Sequence, residues 1–167
     1  QSRAFFEKIG ETVDFLTERC GLSVVTTTSP LIAKFIKNNF ERLSVRASAN
    51  MEIGTVDGMR YVSHLFDSFY MKRECNRDEA KIKELSEWCR DNGKELLLLA
   101  NSGCLNNCSA HVFHDNLVSH ESEIAAMDNA YQFTGICREY LATPENIVRY
   151  LAQTNFVRPE DIPLYEP

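Results

Sequence analysis

Long apolar stretches are missing from this chain. No run approaches the roughly 18 consecutive apolar residues that a membrane-spanning helix needs, so no span is expected. The N-terminus lacks the basic, apolar and small-residue progression of a secretory signal, which makes the cytosol (a cytoplasmic location) the expected compartment. Positive charge is scarce as well, with 18 Lys and Arg against 24 Asp and Glu, a formal net charge of -6. Nonspecific nucleic-acid binding is therefore not favoured by the whole-chain field, although a local basic site stays open. No low-complexity segment and no linker rich in Pro, Gly or Ser interrupts the sequence, so residues 1–167 are expected to form one domain. Several catalytic signatures are absent: there is no Walker loop, no Gly-x-Ser-x-Gly elbow and no His-Glu-x-x-His helix. Aromatics such as Phe69, Tyr70 and Phe133 lack the interleaved basic residues of a base-stacking surface, and are expected in the core.

What remains is an ordinary globular composition, 44% hydrophobic and 25% charged over 167 residues. The chain opens on Gln1 rather than methionine, which leads us to expect further residues upstream. Six cysteines stand at 20, 75, 89, 104, 108 and 137. Without a secretion signal they read as thiols or metal ligands rather than disulfides.

Helical patterns alternate with short apolar runs. Residues 4–20 place Phe6, Ile9, Val13 and Leu16 at helical spacing, with Gly21 as the stop. The β-branched run 22–27 predicts a strand, and Ser29-Pro30 then caps and starts a helix carrying Leu31, Ile32, Phe35 and Ile36. Residues 43–47 predict a second strand. Met59, Val62 and Leu65 predict a short helix after the 54–58 turn region. A third strand is expected over 68–72, followed by a capping box of Asn76 and Glu79 ahead of Ile82, Leu85, Trp88 and Cys89, and a stop at Asn92-Gly93. In 95–100 the continuous run Leu96 to Leu99 suggests a strand covered on both faces. Thr143-Pro144 starts a further helix through Ile147, Val148 and Leu151, leading to a fifth strand at 156–158.

Such alternation implies a parallel sheet. A doubly wound sheet would show a glycine-rich turn after its first strand, but residues 26–30 contain no glycine. The expected fold class is therefore α/β, a partial parallel β/α barrel of the TIM type with about five strands. Polar residues follow each predicted strand, where barrels keep their active sites. A complete barrel has eight strands and typically about 250 residues. Open edges then predict self-association or a missing remainder of the barrel.

The main chemical constellation is Cys104-Leu105-Asn106-Asn107-Cys108, followed by His111, His114 and His120, with Cys137 further on. Were 104–114 helical, Cys104, Cys108, His111 and His114 would fall within about 120° of arc and converge on one ion. Thiolates and imidazoles suit zinc, and several thiolates also suit an iron-sulfur cluster. Gly103 would permit a tight turn aiming Cys104. The alternative is that Cys104 and Cys108 are small core residues. Arg73-Glu74-Cys75 is the second candidate, with Glu74 as general acid or base or as holder of a substrate cation, against the alternative of a surface ion pair. Cys75 is a weaker ligand candidate. Cys20 and Cys89 lie on apolar helix faces and are expected to pack, and His64 reads as structural.

The order of these segments resembles peptidase family U-32, the collagenase-like family. The resemblance rests on residues 43–50, on 70–78 around Arg73-Glu74, on 97–108, and on Phe156-Val157-Arg158-Pro159-Glu160-Asp161-Ile162. It implies a barrel enzyme. Some members of the family carry a four-iron cluster on four cysteines, and some take part in oxygen-independent hydroxylation of quinone precursors or RNA bases. By position, Cys104, Cys108 and Cys137 resemble three of those ligands. This chain departs from the pattern in its closer first pair, its histidine group and the lack of any cysteine after Cys137. The resemblance also implies a peptidase alternative, with Cys104 as nucleophile and a histidine as base. A noncatalytic zinc-stabilised assembly module is a third reading. The substrate is unknown from sequence, and the catalytic candidates are Glu74, Arg73, His111 and His114.

Overall fold

A computed structural model describes residues 2–127 and 135–165. Phe133 lies outside the described residues. The chain divides into two compact units, Gln1–Leu99 and Ala100–Pro167.

The first unit is a four-stranded parallel sheet with strands β1 (Val24–Thr27), β2 (Ser44–Ala47), β3 (Ser68–Tyr70) and β4 (Glu95–Leu97), in the order β1-β2-β3-β4. Helices α1 (Arg3–Cys20), α2 (Pro30–Asn39), α3 (Val56–Val62) and α4 (Glu79–Asp91) precede and connect the strands. Neighbouring strands are consecutive in sequence, so these four strands contain no reversal of order such as a doubly wound sheet shows. The result is a partial parallel β/α fold.

Local chemistry sets the helix limits. Gly21 takes the left-handed conformation (φ 66°) that ends α1. Ser29 caps α2 through the Ile32 N–H, with Pro30 at the first helical position, where its missing N–H costs nothing. At α4 the expected capping residue is replaced. Asp78 accepts the Lys81 N–H at 3.0 Å, because the Asn76 side chain is already engaged with the Leu99 carbonyl at 2.9 Å.

Alternation along β2 separates two faces. Val45 and Ala47 are fully buried, in a core with Ile36 of α2, Met59 of α3, Leu85 and Cys89 of α4, and Phe66, Phe69 and Met71. Burial of each large side chain contributes about 1.5–3 kcal/mol. On the other face the register aligns Thr26, Arg46, Ser68 and Glu95 as one polar row. Arg46 Nε donates to Ser68 Oγ at 3.0 Å, and its guanidinium lies 5.6 Å from the Tyr70 ring centroid. At the entry to β3, Asp67 accepts the Val45 N–H at 2.8 Å and the Lys37 ammonium at 2.5 Å.

β4 departs from expectation. It ends at Leu97, and Leu96 to Leu99 are half-buried rather than covered on both faces, since β4 is the last strand of this sheet and pairs only with β3. Cys20 is also exposed rather than packed, being the final residue of α1.

The second unit contains α5 (His111–Ser119), α6 (Glu121–Ala126), α7 (Ile136–Tyr140) and α8 (Pro144–Gln153). Thr143 and Pro144 start α8 as the sequence predicts. The expected fifth strand does not form. The segment after α8 instead bonds back antiparallel to residues 100–106, with Asn155 N–H to Cys104 O at 2.7 Å and Val157 N–H to Ala100 O at 2.8 Å. Pro159 has no N–H to extend a ladder, and Arg158 turns to Asp161, which receives both its Nε and Nη2 donors at 2.7 and 2.8 Å. No described helix is long and apolar enough to cross a membrane.

Candidate functional site

In the second unit the cysteine segment is a loop, not the helix that the arc argument needed. Asn107 adopts a left-handed backbone (φ 56°), and α5 begins only at His111. Cys104 and Cys108 thus precede the helix that carries His111 and His114. The two histidines stay one turn apart on α5, and His111 Nε2 is 3.2 Å from Asp115 Oδ2. His120 is exposed between α5 and α6 and pairs with Glu123 at 2.8 Å.

Tertiary structure brings Cys137 to the same pocket as Cys108. Partial desolvation raises the Cys137 thiol above its ordinary value, and the charges of Cys108 and Cys104 raise it further. Cys137 is thus within electrostatic reach of Cys104 and Cys108. The pocket that Cys108 and Cys137 line is about 270 Å³, with Leu105, Leu141, Tyr140 and Tyr150 as its larger walls and the amides of Asn106 and Gln153 at its side. Among the described residues no three His, Cys, Asp or Glu side chains stand close enough together to hold a metal ion as placed. As donors the three thiols suit zinc or an iron-sulfur cluster, and coordination requires them to draw inward.

Gly103 plays a different part from the one the sequence suggested. Its backbone is not left-handed; rather, a Cβ there would stand 2.6 Å from the Tyr150 hydroxyl, which donates to the Gly103 carbonyl. Close approach, not a turn, makes glycine necessary here.

In the first unit the turns after β2 and β3 build a second cluster. Glu74 pairs with Lys72 at 2.7 Å, and Lys72 also reaches Glu52 at 3.4 Å. Arg73 Nη2 donates to Asn50 Oδ1 at 2.9 Å, linking the two turns. The Lys72 ammonium is held above its ordinary pKa, chiefly by its hydrogen bond to Glu74. Cys75 is half-buried beside Gly54, and its thiol is raised mainly by desolvation. Lys72 and Glu52 escaped the sequence reading. Glu52 sits at a left-handed position (φ 56°) after a short turn, Ala49–Met51, which no periodicity marks.

The remaining cysteine chemistry is packing. Cys89 is buried, its Sγ lies 3.8 Å from Met59 Sδ, and burial pushes its thiol up to about 11. His64 is exposed.

Comparison with known proteins follows from this architecture. No family model matches the chain, and no curated protein matches it. A solved structure does: the U32 peptidase Mk0906, with a TM-score of 0.60 and 18% identity over 89% of this chain. The fold is similar to that of a U32 peptidase. The matched region is 55% of that chain, so this chain spans about half of the U32 structure's length. The U32 likeness read from residue order is thus matched at the level of fold.

Proposed function

We propose that the chain is part of a U-32-type enzyme in which Cys104, Cys108 and Cys137 hold a metal or an iron-sulfur cluster. The observation that carries this reading is that Cys108 and Cys137, 29 residues apart in sequence, line one pocket, with Cys104 on the same loop as Cys108. The four-stranded sheet of the first unit then belongs to an incomplete parallel β/α barrel of the TIM type, completed by further strands or by self-association. The U32 likeness and the unbroken strand order support that architecture. A fourth ligand comes from outside the three thiols, with His111 and His114 as candidates in this chain. A bound cluster would supply electron transfer and a bound zinc Lewis acidity, as oxygen-independent hydroxylation of a quinone precursor or an RNA base, or hydrolysis, would respectively require. Glu74 is the proposed proton-handling group and Arg73 its positioning neighbour.

Metal analysis and visible spectroscopy on anaerobically prepared protein test this reading. Occupancy is expected to fall in Cys104→Ser and Cys108→Ser but not in Cys89→Ser, and to fall on acidification because the ligands must be thiolates. Equal occupancy in all three folded variants rejects the site. Tightly bound zinc with every coordination position filled by protein would instead identify a structural assembly module.

One observation favours a peptidase as the second reading. His111 is oriented by Asp115, the pairing that a histidine base needs, and Cys104 would be the nucleophile. Peptide cleavage abolished by Cys104→Ser in metal-free protein would select it.

A further inference from the structure

The cysteine loop is shaped by a segment about fifty residues away in sequence. Four ties join them: the Tyr150 hydroxyl donates to Gly103 O, the Thr154 hydroxyl is shared between Ser102 O at 3.4 Å and Cys104 O at 3.3 Å, Asn155 N–H donates to Cys104 O at 2.7 Å, and Asn106 N–H donates to Gln153 O at 2.8 Å. Three successive carbonyls, 102 to 104, are therefore fixed by α8 and the residues just after it. Thr154 and Asn155 are buried, so their bonds are sheltered from water.

Tyr150 differs from the other three ties. Its ring also borders the pocket that Cys108 and Cys137 line, and the Gly103 backbone leaves no room for a Cβ beneath its hydroxyl. We infer that Tyr150 is a positioning residue: its bond to the Gly103 carbonyl fixes the backbone from which Cys104 projects and so sets that thiol relative to Cys108 and Cys137. This rests on the proposal that the three thiols form a metal site. A loop without the tether would lose ordering entropy each time the thiols draw in on an ion, whereas a tethered loop has already lost part of it.

The test uses Tyr150→Phe, which keeps the ring and removes the donor, and Gly103→Ala, which blocks the same bond from the other end. Tyr61→Phe removes a hydroxyl from an exposed tyrosine of the first unit and serves as control. Cobalt(II) is the probe, with its thiolate charge-transfer absorption giving both affinity and number of thiolates, measured on protein shown to be folded by circular dichroism. In parallel, the metal-free proteins are alkylated with iodoacetamide, and the rate at Cys104 is compared with that at Cys20 by peptide mass spectrometry. Tyr150→Phe is expected to weaken cobalt binding about fivefold, the equivalent of one lost hydrogen bond, and to change the Cys104 to Cys20 rate ratio, while Tyr61→Phe matches the wild type. Wild-type cobalt affinity together with a wild-type rate ratio in Tyr150→Phe overturns the inference. If the wild-type protein binds no cobalt, the metal reading itself fails. The alkylation ratio then decides the tether alone, a changed ratio supporting it and an unchanged one overturning it.

Discussion

Lys72 and Glu74 form an ion pair of 2.7 Å across the turn that follows β3, with both side chains less than one-third exposed. The carboxylate that the sequence offers as a general acid or base, or as a cation holder, is thus paired with a cation of its own chain. Because Glu74 raises the Lys72 pKa, Glu74→Gln should bring the Lys72 ammonium back towards its ordinary value of 10.5. Lysine side-chain NMR titration measures this. A folded-state pKa raised above the unfolded value stabilises the protein below the unfolded pKa and is lost as pH rises through the folded one. Glu74→Gln should therefore cost stability at neutral pH, by about 0.2–1 kcal/mol for a partly exposed pair, with the difference closing in strong alkali. An unmoved Lys72 titration would show that Glu74 does not control it.

Asp67 supplies the opposite sign. Burial acts to raise its carboxyl, but the Lys37 hydrogen bond and the Val45 N–H outweigh it and hold the group below its ordinary 3.8. A depressed carboxyl stabilises above the unfolded pKa, and that contribution is lost as pH falls through the folded value. Asp67→Asn should lower stability at pH 7 by about 1 kcal/mol, a figure discounted for the partial exposure of the carboxylate. Urea unfolding at pH 7 and again well below the Asp67 pKa should show the wild type and variant converging in acid. A constant gap would mean that the loss is one of packing.

Why some of this was legible from sequence and some was not follows from range. Ser29-Pro30, Gly21 and Thr143-Pro144 act within one turn, and each was readable because a cap needs only its own neighbours. The parallel order of β1 to β4 followed from alternation alone. The 156–158 run failed as a strand because its partner is the cysteine loop, to which it bonds antiparallel, and Pro159 stops it. Likewise the bond from Tyr150 to the Gly103 carbonyl joins residues 47 apart, and nothing local marks it. Asn76 was misread for the same reason: its side chain serves Leu99, 23 residues on.

The core makes a simpler prediction. Phe69 is fully buried, with ring centroids 6.0 Å from Phe66 and 6.2 Å from Trp88, and lies among helices α2 to α4. Phe69→Ala should cost about 3–5 kcal/mol through lost burial and the cavity left behind. Chemical denaturation followed by Trp88 fluorescence reads it directly, since Trp88 is the chain's one tryptophan. A loss well under that range would mean that the sheet and helices collapse onto the vacated space.

Arg46 offers a test of the sheet's second face. Its side chain is only 20% exposed, yet it belongs to the polar row Thr26, Arg46, Ser68 and Glu95 rather than to the helix-covered core. Its partners are unequal in strength. The Ser68 bond is short at 3.0 Å, whereas the Glu95 contact is 3.7 Å long and Glu95 is largely exposed, so charge pairing contributes the smaller share. The Tyr70 ring adds a cation–π contact worth about 0.5–1 kcal/mol. Arg46→Lys keeps the charge but gives up the planar fork that serves Ser68 and Tyr70 together, so it should destabilise nearly as much as Arg46→Met. Salt separates the two explanations. If geometry governs, the wild-type advantage over Arg46→Lys should persist in 1 M salt, where the Debye length is about 3 Å and exposed charge pairing is screened. An advantage that disappears in salt would assign the effect to Glu95 instead, and would make the row an electrostatic feature rather than one built on the Arg46 to Ser68 bond.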